Sequence, residues 1–112
     1  MEFIKTRPTS KAPAGWFTGD VWWDVIVAGQ ESSRMRANLV RFSPGARTDW
    51  HSHAVGQALH VVSGIALIGV RDGTVFEARP GETVSCPPGE EHWHGAEPVT
   101  DHQYNGPRTR NR

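Results

Sequence analysis

Among 112 residues there is one cysteine, Cys86, so no internal disulfide can form and nothing points to an oxidising compartment. Set just before Pro87 and Pro88, it reads as a small buried hydrophobe and not as a reactive thiol. Neither sign of charge is in surplus, since twelve Lys plus Arg meet twelve Asp plus Glu. No basic stripe is therefore available for nucleic acid, and Arg108, Arg110 and Arg112 read as a solvated tail. No apolar run is long enough to span a bilayer. The first residues lack the unbroken apolar core of a signal peptide, so a cytoplasmic protein without a membrane partner is expected. Helical periodicity is absent as well, because no window longer than about ten residues sustains an apolar repeat of one helix face.

Turn-forming residues are abundant. Twelve Gly and eight Pro break the chain into short segments, and the length suits one domain with a single core. The fold class expected is all-β. Residues 1–15, interrupted by Pro8 and Pro13, read as an N-terminal arm with one short edge strand at Phe3-Ile4. Val21 to Val27 is a strand rich in aromatic and β-branched residues. Met35, Ala37 and Leu39 alternate with Arg36 and Asn38, the pattern of a half-buried strand with one wet face. Further strands are expected over Gln57 to Ser63 and Ile65 to Arg71. A hairpin through Asp72-Gly73 leads into Thr74 to Ala78, and Glu82 to Cys86 follows. Short strands at this spacing indicate a sandwich or small barrel over residues 16–100. Residues 101–112 show no strand-like run and read as an irregular C-terminal tail that leaves a sheet edge exposed.

The chemistry concentrates between Gly45 and Gly64, GARTDWHSHAVGQALHVVSG. Side chains at i and i+2 of a strand share a face, so His51 and His53 can aim at one point, and Gln57 can reach the same side across a bend. A second cluster stands at His92 and His94, after the Pro87-Pro88-Gly89 turn. Three imidazoles and an oxygen donor are a ligand set for a divalent transition metal, and open positions would make such a site catalytic. His60 is expected on the other strand face. Trp22, Trp23 and Trp50 are core or interface aromatics, while Trp93, between His92 and His94, is a candidate for shaping the pocket entrance. Arg47 and Asp49 are placed to form a local ion pair.

These spacings resemble the cupins. Gly45, His51, His53, Gln57 and Gly64 match the first cupin motif, G-x5-H-x-H-x3,4-E-x6-G, with glutamine in place of the usual glutamate. Gly81, Pro87, Gly89 and His92 match the second, G-x5-P-x-G-x2-H-x3-N, with Ala96 in place of asparagine. The resemblance implies a single-domain cupin, a small β-barrel or jelly roll, with metal ligands at His51, His53, Gln57 and His92; the strandless residues after Thr100 depart from it, as if the usual last strand were lacking. A neutral carboxamide leaves the charge of the ion uncompensated, which favours polarising a bound hydroxyl over stabilising a higher oxidation state.

Trp16-Phe17-Thr18-Gly19, Pro44 to Thr48, Gly56-Gln57 and Pro88 to Ala96 also look like the small bacterial cupins that include manganese-dependent hydroxynitrile lyases. That subgroup shares the glutamine ligand. It implies Mn²⁺, with Fe²⁺, Zn²⁺ or Ni²⁺ as alternatives, and proton transfer by His94, whose pKa near working pH needs little tuning. The subgroup's further active-site histidine lies on a following strand. His102 is its candidate here, at a spacing from His94 that departs from the subgroup. The function expected is a lyase acting on α-hydroxynitriles. Alternatives are a metal-dependent dioxygenase of another small substrate and a non-catalytic metal- or small-ligand-binding module. A homodimer or higher homo-oligomer is expected, built from edge strands, the N-terminal arm and Trp22-Trp23.

Overall fold

Strands form where β-branched and aromatic residues run together, and glycine or proline turns end most of them. A computed structural model of the chain describes residues 1–98 and 107–110. Its strands are β1 (Ser10–Lys11), β2 (Phe17–Thr18), β3 (Val21–Val27), β4 (Ala37–Phe42), β5 (Arg47–Thr48) and β6 (Gln57–His60). They continue with β7 (Ala66–Val70), β8 (Val75–Ala78), β9 (Thr83–Cys86), β10 (His92–Ala96) and β11 (Thr109–Arg110). Among the described residues, a single 3-10 turn at Ala14–Trp16 is the only helical piece. None of their helices is long and apolar enough to cross a membrane.

Three sheets result: β1-β3-β4, β11-β8-β7-β10-β5-β2, and the pair β6-β9. Strand β10 is central, pairing antiparallel with β7 from His92↔Val70 to Ala96↔Ala66 and with β5 at Gly95↔Arg47. One core cluster joins Ala12, Val21 and Ala46, with Phe17, Trp23, Val40 and Phe42 against it. A second joins Val61, Ile68 and Ala78, with Leu59, Ala66, Phe76 and Val84. Ile68 is 1% exposed; cutting it to alanine is worth about 2–5 kcal/mol of stability.

Several sequence expectations change. The edge strand of the arm is Ser10–Lys11, not Phe3-Ile4, and both apolar residues are exposed. Pairing decides here: Ser10 and Lys11 find Trp23 and Trp22, and the Trp23 indole N–H donates to Ser10 Oγ at 3.1 Å. In β4 the inward side chains are Val40 and Phe42, while Ala37 and Leu39 are exposed, as is Met35 before the strand begins. Of the two adjacent tryptophans, Trp22 faces solvent and Trp23 turns into the core.

The tail, read as free of strand, supplies β11, which lies parallel to β8. Charge holds it there. Glu77 on β8, with its side chain only 9% exposed, meets Arg108 at 2.9 Å, Arg79 at 3.1 Å and Arg110 at 3.4 Å. Arg110 also reaches Glu82 at 2.7 Å, and Arg108 reaches Glu97. Arg108 and Arg110 are thus anchors and not a solvated tail.

Candidate metal centre

Gly56 (φ 86°) sets the bend before Gln57; a Cβ there would lie 2.9 Å from the Cys86 carbonyl oxygen, and the conformation itself suits glycine. The bend places Gln57 at the start of β6, and the Pro87-Pro88-Gly89 turn places His92 at the start of β10. The two segments are tied directly. His51 and His92 exchange backbone hydrogen bonds at 2.9 Å each, and the His53 carbonyl accepts from Gly56 and Gly89 N–H. Paired opposite one another, His51 and His92 turn their rings the same way, with centroids 4.5 Å apart. His53 is 5.1 Å from His51 on the same measure. Ring nitrogens of His51, His53 and His92 all lie within 4.8 Å of one another. The site contains what the spacing of the sequence brings together: three imidazoles, with Gln57 beside them.

Backbone contacts fix the state of these rings. His51 Nδ1 lies 2.9 Å from the Asp49 carbonyl oxygen and His92 Nδ1 lies 3.0 Å from that of Glu90, so each Nδ1–H donates outward and leaves Nε2 with a free lone pair. His92 Nε2 lies 3.1 Å from Gln57 Oε1, which brings the two side chains to one point. His53 Nε2 is buried without a hydrogen-bond partner among the described residues. Buried polar atoms are normally satisfied, and an unpartnered imidazole nitrogen beside two further imidazoles and a carboxamide oxygen suits a cation. Burial, followed by the nearby His51 and His92, holds the His53 pKa below its ordinary value, keeping the ring unprotonated for ligation. The donor set therefore fits a divalent metal ion.

His94 adjoins the cluster, with its ring 5.2 Å from that of His51 and 5.7 Å from that of His92. Phe42 packs on its edge at 5.8 Å, and Thr48 Oγ1 accepts its backbone N–H at 3.1 Å. Burial first, then the three neighbouring imidazoles, depress its pKa to about 3. The ring is thus neutral at working pH, and so low a pKa makes it a weak base. The expectation of a little-tuned histidine is corrected: four imidazoles crowd one interior, and only their assembly reveals it.

Trp93 does not shape the entrance. With His92 and His94 inward, it turns outward onto Gly69, where a Cβ would meet the indole at 2.1 Å, and it lies under the Arg47 guanidinium at 5.0 Å. Arg47 makes that contact in place of the expected pair with Asp49, whose contribution is its backbone carbonyl. His60 faces away from Gln57 and meets Thr83 Oγ1 at 2.8 Å. Cys86 is buried at 4% exposure, and burial pushes its thiol pKa up. His102 lies outside the described residues. The carbonyls of Asp49 and Glu90 were not legible beforehand, since every residue carries one.

Comparison with known proteins identifies the family. Residues 38–100 match the family model for the cupin domain. The chain is 41% identical over 97 residues to an (R)-mandelonitrile lyase of Granulicella tundricola, covering 87% of this chain and 74% of that protein. A cupin-like protein of Thermotoga maritima superimposes with a TM-score of 0.74 at 36% identity, over 88% of this chain and 73% of that one. With the two histidine motifs meeting inside a small all-β domain, the chain belongs to the cupin family.

Proposed function

We propose that this cupin is a metal-dependent lyase that cleaves or forms α-hydroxynitriles, interconverting a cyanohydrin with an aldehyde and hydrogen cyanide. The observation that carries the reading is a neutral, half-buried His94 beside three converging imidazoles, in a chain similar to a protein named mandelonitrile lyase. His51, His53, His92 and Gln57 would hold the cation, Mn²⁺ first, with Fe²⁺, Zn²⁺ or Ni²⁺ chemically admissible. When bound, the ion supplies Lewis acidity that makes a substrate hydroxyl more acidic.

His94 would then accept the hydroxyl proton at a ring nitrogen, as a weak base that depends on the hydroxyl having been made more acidic. As the carbonyl forms, the carbon–carbon bond breaks and its electron pair leaves with cyanide. The protonated ring, unstable among its neighbours, returns the proton to cyanide and hydrogen cyanide departs. No oxidant or reductant is needed, in keeping with the uncharged Gln57. Phe42, on the edge of His94, gives the reacting centre one apolar wall.

Cleavage of racemic mandelonitrile, assayed with Mn²⁺, Fe²⁺ and Zn²⁺ separately and with oxygen excluded, tests the reading. Turnover is expected without oxygen and should fall about 100-fold or more in His94→Ala while the metal stays bound. Unchanged turnover in that variant would remove His94 from the mechanism. Metal held without any cleavage would reassign the chain to a binding module, and oxygen-dependent turnover of another substrate would favour a dioxygenase.

A further inference from the structure

Directly outside the His51–His92 pair lies a second, smaller assembly. Trp50 precedes His51, Glu91 precedes His92, and Arg71 follows the Val70 that pairs with His92. Because strand side chains alternate, the residues next to inward histidines turn outward. There the Arg71 guanidinium lies 4.0 Å above the Trp50 ring. The same group donates to Glu91 Oε2 from Nη2 at 2.7 Å and from Nε at 3.1 Å. One planar cation from the β7–β8 hairpin thus contacts the neighbour of each of two candidate ligands, one by stacking and one by a forked charge-assisted bond.

We propose that Arg71 is a positioning residue for the metal centre, bracing the His51–His92 pair from outside the barrel so that both rings are preorganised for the ion. It rests on the metal-site reading above. All three side chains are partly exposed, so each contact alone is weak. Their leverage comes from gripping both ligand-bearing segments at once, where small displacements shift two donors relative to His53 and Gln57.

Titration of the full chain with Co²⁺, followed by visible absorption, tests this. Wild type should bind and His51→Ala should not. Arg71→Ala should bind about fivefold more weakly, while the unfolding midpoint of the metal-free protein stays close to that of wild type. Arg71→Lys, which keeps the ion pair but loses the planar stack, should fall between the two and carries the comparison if the alanine variant folds poorly. Trp50→Ala should weaken binding similarly, and the double variant should be no worse than either single one. Equal Co²⁺ affinity in wild type, Arg71→Lys and Arg71→Ala would overturn the role of Arg71 while leaving the metal site standing. Failure of wild type to bind Co²⁺ more tightly than His51→Ala would instead overturn the metal reading itself.

Discussion

At the scale of single residues, the placement of a proton decides most of the chemistry. His51 and His92 spend their Nδ1–H on the carbonyls of Asp49 and Glu90, which leaves Nε2 of His92 facing the oxygen of Gln57. Replacing that oxygen by a carboxylate should show what the neutral amide does. Gln57→Glu is expected to bind a divalent ion about tenfold more tightly, through an added charge at ligand distance, and to cleave hydroxynitrile more slowly because the ion is less acidifying. Competition titration against a chelator and the cleavage rate check both halves, and faster cleavage with tighter binding would contradict the polarisation argument. The convergence of His51, His53 and His92 was legible because period-two spacing and glycine-bounded motifs belong to the residues themselves. The depressed pKa of His94 was not, since its causes are burial and three rings that the fold alone assembles. The outward turn of Trp93 could have been read, because placing its neighbours His92 and His94 inside leaves it the outer face.

Among the elements, β8 and β11 form the pairing that composition hid. Strands β3, β7 and β9 were legible from their β-branched runs, whereas the two-residue strands β1 and β11 are specified by their partners and carry no pattern of their own. Glu77 holds β11 through Arg108 and Arg110, and the hydrogen bond from Arg108 leads the causes that depress the Glu77 pKa. A carboxylate with a folded pKa below its unfolded value adds stability above the unfolded value and loses it as pH falls through the folded one. Glu77→Gln should therefore lower stability by about 1–3 kcal/mol at neutral pH, by removing the buried anion that Arg108 and Arg110 share and leaving their other carboxylates, Glu97 and Glu82, to hold β11 alone. The difference from wild type should shrink in acid, below the ordinary glutamate range. Denaturant unfolding across that pH range measures it, and a gap that widened in acid would contradict the assignment.

For the molecule as a whole, the architecture brings two motifs distant in sequence to one interior point. Strand β10, the end of the second motif, lies between β7 and β5, and β5 lies within the first motif just before His51, so pairing the sheet also brings the histidines together. Metal binding and stability should accordingly be linked, with added Mn²⁺ raising the unfolding midpoint of wild type. The most direct measurement is elemental analysis of the purified protein after saturation with Mn²⁺ and desalting, alongside His53→Ala, which deletes the orphaned Nε2 without touching the His51–His92 pairing. Retention of about one ion per chain in wild type and little in the variant is expected; equal retention in both, or none in wild type, would contradict a metal centre built on these residues.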